Sequence, residues 1–376
     1  MNFDFSPEQY QFREQMRRML DKADGLGQGR RMLEKQCENY SSPIWHGLAE
    51  LGVQAAAIPE RYAGLGLGAL ELCVAAEEIG RSLAPIPFLP STGMCAEAIR
   101  LFGSAQQQSK WLPGLAAGST IGTWGFAEDH RATRASETRL TSGLLSGTKV
   151  PVFDGMSADV MLVIATDEHG VRVCALCDLA QSGVTRQAVE TIDPSRPAAQ
   201  IRFEGARAEA LPQGDDAAWQ RLRERAAVLL AFEQLGGAEA ALEMACAYAL
   251  DRTAFGRKIG SFQAIKHKLS DMYAKVELAR CHCYYGAWAI STDAPETSLA
   301  AAGARCSAID AFDYAAQENI QIHGGIGVTW ESDCQLFYRR ARLNALMLGS
   351  RYEWQDRLIA ALQQQQRLRP LTNERE

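Results

Sequence analysis

The segment Asp251-Arg252-Thr253-Ala254-Phe255-Gly256-Arg257-Lys258-Ile259-Gly260-Ser261-Phe262-Gln263-Ala264-Ile265-Lys266-His267 joins two long stretches of helical periodicity. Before it, Leu235, Ala238, Leu242, Ala245 and Ala249 recur at spacings of three and four; after it, Ile265, Leu269, Met272, Val276, Ala279 and Cys283 keep a similar rhythm. That spacing gives each helix one apolar face, and two such faces on either side of a short connection are buried together only in an antiparallel bundle. The connection carries an Arg, two glycines, a Phe and a Gln, a set that reads as a ligand-binding hairpin.

Upstream of the bundle the texture differs. Ser6-Pro7-Glu8-Gln9 is a helix start, with Ser6 as cap, Pro7 at the first helical position and Gln9 closing a capping box. Further helices are expected around Pro43 to Leu51, from Ala69 to Leu83, and near Met94 to Phe102, with Pro85, Pro87 and Pro90 as breaks. A glycine-rich loop, Ile58 to Gly68, precedes the second of these, and Ser104 is positioned to cap a short helix ended by Pro113-Gly114. From about Thr120 short β-type runs take over: Leu144 to Val152 with a turn at Ser146-Gly147, Val160 to Ala165, Val171 to Leu176, and Ala199 to Phe203. Helices are expected again near Ser298 to Gln317 and Cys334 to Gln364, followed by a polar tail ending in Glu376. The expected fold is mainly α with a small β insert: an N-terminal helical domain over 1–119, a middle β-barrel-like domain over 120–207, and a C-terminal four-helix bundle over 208–376.

At 376 residues the chain is long enough for two or three packed units. Its 39 Lys and Arg against 45 Asp and Glu leave a net charge of -6, and no basic run is long enough to follow a nucleic-acid backbone. No apolar run reaches the roughly 18 residues of a membrane span, and the first residues do not read as a secretory leader. The ten cysteines are scattered, and Cys174-Ala175-Leu176-Cys177, the one CxxC, falls in an expected strand without a second pair or nearby histidines, so buried reduced thiols in the cytoplasm are expected.

Arg252-Thr253-Ala254-Phe255-Gly256, Ser261-Phe262-Gln263-Ala264-Ile265 and Gln321-Ile322-His323-Gly324-Gly325-Ile326-Gly327, in that order within helices, a β insert and a bundle, closely resemble the acyl-CoA dehydrogenase family. The likeness spans nearly the whole chain. It implies FAD as cofactor, an acyl-CoA thioester as substrate, α,β-desaturation as the reaction, and electron-transfer flavoprotein or a similar acceptor as partner. Residue by residue it implies that Arg252, Phe255 and Gln263 hold the pyrophosphate and adenosine side of FAD. Gln321, Gly324 and Gly325 would reach the same flavin across a dimer interface, and Phe126 stands in the β insert where flavin contacts are made. An Arg, a Phe and close-approach glycines suit a dinucleotide with two negative phosphates. His323 reads as a packing or hydrogen-bonding residue rather than a base, and His267, beyond Gly260, gives no better signal of one.

The departures concern the chemistry. In the family a carboxylate removes the α-proton while the β-hydride leaves to the flavin. Counting from the motifs places that Glu at Leu348 in most members and at Ala226 in a second group, and neither position is acidic here. Glu224, Glu233 and Glu353 are the carboxylates in range to act as a displaced base. The Thr-Glu-Pro and Gly-Ser-Asp region is replaced by Phe126-Ala127-Glu128-Asp129-His130-Arg131-Ala132-Thr133, and the Trp and Thr that flank the ring correspond to Pro151 and Phe153. The pattern resembles a subgroup of heterotetramers in which a paralogous subunit supplies the base. A self-sufficient enzyme, as a homodimer or homotetramer using Glu233 or Glu224, and a flavin-free scaffold subunit are the alternatives.

Overall fold

The computed structural model of the protein describes residues 5–36, 39–129 and 137–368. Cys37, the segment His130 to Thr133 and the polar tail lie outside the described residues.

The N-terminal part is helical: α1 (Pro7–Lys22), α2 (Gly25–Leu33), α3 (Ser42–Glu50), α4 (Ala69–Arg81), α5 (Glu97–Phe102) and α6 (Ala105–Ala116). The start of α1 is fixed by the expected capping box, with the Gln9 N–H donating to Ser6 Oγ and the Ser6 N–H donating to Gln9 Oε1. Arg13 and Arg17 then lay α1 on α4 through Glu77 and Glu78, at 2.6 and 2.7 Å. The prolines after α4 break the chain for less long than expected. A wide-turned helix already begins at Phe88 and runs into α5, because Pro90 sits in its first turn, where a backbone N–H has no helical partner to lose.

The middle part is a sheet of β1 (Gly122–Gly125), β2 (Arg139–Thr141), β3 (Leu144–Phe153), β4 (Val160–Asp167), β5 (Arg172–Asp178), β6 (Val184–Val189), β7 (Ala198–Arg207) and β8 (Glu209–Ala210). Its order is β6-β7-β3-β2-β4-β5-β8, with β1 pairing parallel to β4. The turn expected at Ser146-Gly147 is instead the interior of β3, where the register with β7 shifts and Gly147 takes φ 139°. The chain reverses earlier, at Ser142-Gly143, both left-handed at φ 50° and 79°. A bulge in a strand and a two-residue turn use the same residue types, so composition alone does not separate them.

The C-terminal part holds α7 (Asp216–Asp251), α8 (Gln263–Ser291), α9 (Thr297–His323), α10 (Cys334–Asn344) and α11 (Arg351–Leu368). Between α7 and α8 lies a small hairpin of β9 (Thr253–Ala254) and β10 (Arg257–Lys258). The helix expected from Cys334 to Gln364 is two helices, broken over residues 345–350, where Leu348 has φ 60° and Gly349 φ 109°. Helices α4 and α7 cross at Gly80 and Gly236. A Cβ on either would lie 1.9 Å from a carbonyl oxygen of the other helix, that of Glu233 or Glu77, so no larger residue permits this approach.

The three parts share one core and, at their junction, a buried charge network. Glu233 of α7 lies 3.3 Å from Arg196 of the β6–β7 connection and 3.5 Å from Arg340 of α10. Arg196 also reaches Asp154, and Arg340 donates to Asp193, Ser195 and the Leu83 carbonyl. Among the described residues no helix is long and apolar enough to cross a membrane.

Candidate active-site cavity and dinucleotide surface

The break between α10 and α11 faces the sheet across a cavity of about 570 Å³. Trp124 and Phe126 at the end of β1, Phe153 at the end of β3, Trp219 and Arg223 of α7, and Leu348 of the break are among its walls. Trp219 stacks on Phe126 at 5.1 Å with the rings 14° from parallel, and its other neighbour, Trp124, lies 5.8 Å away. The walls are therefore largely flat and apolar, and Arg223 is the cation among them.

Arg223 is 5% exposed and donates from Nε to the Leu348 carbonyl oxygen at 3.0 Å. Its Nη2 is shared between that oxygen and Glu353, 2.6 Å away. Burial, and then the neighbouring Arg357, push its pKa below the usual guanidinium value against the pull of Glu353. One residue earlier, the Met347 carbonyl accepts from Arg305 at 2.7 Å. Arg305 is fully buried, donates to Gln234 rather than to a carboxylate, and is pulled down to about 9, chiefly by desolvation. Two guanidinium groups thus hold the break by its carbonyl oxygens. With Leu348 in a left-handed conformation, its side chain is 5% exposed. Gly349 makes the Arg223–Glu353 contact possible, since a Cβ there would sit 2.3 Å from Arg223 Nη2.

The two positions where the sequence lacks a base are thereby joined. Ala226, fully buried, follows Arg223 by one turn of α7, and Arg223 bonds to Leu348. The carboxylates offered as substitutes are elsewhere engaged. Glu233 is 1% exposed, sits in the buried network, accepts from Asn344 Nδ2 at 3.2 Å and does not line the cavity. Glu224 is half-buried, accepts from Ser298 Oγ at 2.7 Å and does not line it either; burial pushes its pKa up. Glu353 does line the cavity, but as the counter-ion of Arg223.

The second region is a surface. At the tip of the β9–β10 hairpin Phe255 and Gly256 take φ 52° and 77°, and Phe255 is 95% exposed. Arg252 and Gln263 at its two ends are also exposed, as are Gln321, Gly324 and Gly325 at the end of α9. A Cβ on Gly256, Gly324 or Gly325 would meet nothing within 4 Å, so these glycines do not serve packing within this chain. The hairpin and the α9 end are tied by Tyr248 stacked on His323 at 4.1 Å. Tyr248 accepts the Arg252 N–H at its carbonyl, and His323 Nδ1 lies 2.8 Å from the Asn319 carbonyl oxygen. Sequence reasoning missed Tyr248 and Arg223, because an aromatic and an Arg on helices carry no signal until their neighbours are known.

Models of the acyl-CoA dehydrogenase N-terminal and C-terminal domains match residues 6–119 and 214–362. The chain is 34% identical to the acyl-CoA dehydrogenase IpdE2 of Mycobacterium tuberculosis (strain ATCC 25618 / H37Rv), over 83% of this chain and 84% of that protein. Among solved structures it superposes on a variant of the Tcur3481-Tcur3483 steroid ACAD with a TM-score of 0.87 at 28% identity, covering 96% of this chain and 99% of that one. It superposes on the ChsE4-ChsE5 complex from Mycobacterium tuberculosis with a TM-score of 0.89 at 26% identity, with the same coverage.

FAD, which this likeness implies, fits the two regions unequally. The exposed Arg252, Phe255 and Gln263 and the open glycines at 324 and 325 are free to meet a pyrophosphate-bearing molecule from outside the chain. At the cavity, Pro151 and Phe153 offer a flavin ring no side-chain hydrogen bond.

Proposed function

The chain belongs to the acyl-CoA dehydrogenase family, and on that premise we propose that it is the subunit of an FAD-dependent acyl-CoA dehydrogenase that lends dinucleotide contacts while a base-bearing paralogue abstracts the α-proton. The observation that carries this reading is Arg223 bonded to the Leu348 carbonyl. Both base positions are apolar and buried, and the charged group bonded to the Leu348 backbone is a cation, with the half-exposed Glu353 as its counter-ion. A positioned general base typically contributes about 10²–10⁴ in rate, and a guanidinium has no lone pair with which to take a proton.

In this reading Arg252 supplies charge to the pyrophosphate, Phe255 and Gln263 flank the adenosine side, and Gln321 with the backbone at Gly324 and Gly325 completes the cradle from the end of α9. FAD, when bound, supplies the hydride acceptor. The exposure of Phe255 supports a contact completed by another subunit, since a Phe with 95% of its surface in water gains about 2–3 kcal/mol on burial. The family likeness supports an acyl-CoA thioester as the substrate class of the assembly, and the heteromeric name of the ChsE4-ChsE5 structure is in keeping with a paralogous partner.

The test is to purify the chain alone and coexpressed with a base-bearing paralogue, then follow the flavin band on adding an acyl-CoA. Bleaching is expected only from the pair. Full bleaching by the chain alone would refute the proposal, and absence of flavin from both preparations would favour a scaffold role.

A further inference from the structure

The cavity beside Arg223 has a feature that a merely vacated active site does not need. Arg223 is 5% exposed, lines an otherwise largely apolar cavity of about 570 Å³, and bonds through Nε and Nη2 alone; among the described residues its Nη1 has no partner. A cavity of that size, walled by aromatic rings and carrying one buried charge, has the make-up of a small-molecule site. We propose that it binds a carboxylate carried on a flat apolar body, the carboxylate on Arg223 and the body against Phe126 and Phe153.

Three observations support the assignment. Glu353, the present counter-ion, has a side chain 47% exposed and lies 3.8 Å from Arg357, so it keeps a cationic neighbour when Arg223 turns to a ligand. Arg223 cannot swing away with it, because the Leu348 carbonyl holds Nε and Nη2. The guanidinium is also crowded by like charge: Arg357 and Arg172 both lower its pKa, and an arriving anion relieves that repulsion. Glu190 on the rim is exposed and screened by water. A planar fork in an apolar surrounding selects a carboxylate over a neutral amide, because the unpaired polar alternative is costly there. Two sources offer this chemistry: a free apolar acid, and the distal carboxylate of an acyl-CoA.

The proposal rests on the reading that this cavity performs no α-proton abstraction, but its test needs no turnover. Isothermal titration calorimetry on the purified full chain reads the affinity without turnover. The probes are 2-naphthylacetate against 2-naphthylacetamide, and adipoyl-CoA against hexanoyl-CoA. The acid of at least one pair is expected to bind tenfold or more tighter than its neutral counterpart. A preference in the naphthyl pair alone identifies a free acid, and one in the thioester pair identifies a distal carboxylate. Arg223→Met is expected to erase the preference. Should that variant fold poorly, Glu353→Gln, at an exposed position, is expected to strengthen acid binding several-fold. Equal affinity within both pairs in the unaltered chain overturns the proposal, as does an acid preference that Glu353→Gln leaves unchanged or weakens. Turnover by the chain alone would instead strike the functional reading, whichever way the probes bind.

Discussion

Arg223 and Leu348, distant in sequence, are joined by a hydrogen bond of 3.0 Å from Nε to the carbonyl oxygen. At the position that the family likeness gives to a carboxylate, the backbone of Leu348 accepts from a guanidinium, and Leu348 itself is 5% exposed. Because Ala226 follows Arg223 by one turn of α7, both base positions lie beside the same Arg223–Glu353 pair.

That bond should be visible in stability. Arg223→Met leaves a buried carbonyl oxygen without its donor and is expected to lower the unfolding free energy by about 1.5–3 kcal/mol, the range for a hydrogen bond to a charged group. Glu353→Gln breaks only a partly exposed pair and is expected to cost under about 1 kcal/mol. Urea unfolding of the two variants, read as a shift in midpoint at unchanged slope, checks the order. A larger loss for Glu353→Gln would contradict it.

The hairpin tip should behave in the opposite way. Phe255 contributes almost no burial within the chain, so Phe255→Ala is expected to leave its unfolding free energy within about 0.5 kcal/mol of the parent. In the assembled enzyme the same substitution is expected to lower flavin retention, measured as FAD remaining after gel filtration. Unchanged retention would remove Phe255 from the proposed dinucleotide site.

Acid sensitivity should centre on Glu128. Burial pushes its carboxyl up, but the hydrogen bond and charge of Lys149, 2.7 Å away, and the backbone N–H groups of Thr138 and Glu137 outweigh burial and hold it at about 2. Its folded pKa lies below the ordinary 4.5, so its stabilisation is present above that value and lost as pH falls towards 2. Lys149, brought down to about 8 mainly by desolvation, acts at the other end, and stability linked to it rises between about 8 and the ordinary 10.5. Glu128→Gln is expected to flatten the acid limb of the urea midpoint measured between about pH 2 and 5. An unchanged limb would assign it to other carboxylates.

Thiol chemistry should follow burial. Cys95, Cys174 and Cys177 are each pushed up to about 12, chiefly by desolvation, whereas Cys281 is exposed. Cys281 is expected to react first with an aromatic disulfide reagent, and the other three only on unfolding. Mass mapping after a timed pulse checks this, and fast labelling of the Cys174–Cys177 pair would contradict the buried strand assignment.

Much of this architecture was legible along the chain. Helical spacing at Leu235 to Ala249 and Ile265 to Cys283 marked α7 and α8 because each packs one face, and the capping box at Ser6 marked the start of α1. The three motifs carried the family likeness. What escaped was tertiary in origin. Ala345 to Leu348 is an apolar run that reads as uninterrupted helix, and its break is imposed by Arg223 and Arg305 gripping carbonyl oxygens from other helices. Glu233 lies on the face of α7 expected for a displaced base, yet Arg196 and Arg340, remote in sequence, hold it in the core. Strands β2 and β6 are short and largely exposed, so their residues carry too weak an alternation to announce them.

The Glu233 network also bears on how the molecule comes apart. Its charges come from the middle sheet region, the long α7 and α10, and each is almost wholly out of water. A fragment limited to the C-terminal helices would keep Glu233 and Arg340 but lose Arg196, Asp154 and Asp193, leaving ionised groups in apolar surroundings without their full set of partners. Segments that the sequence separates so clearly therefore share a single cooperative fate, and the borders between them are not places where the protein can be divided.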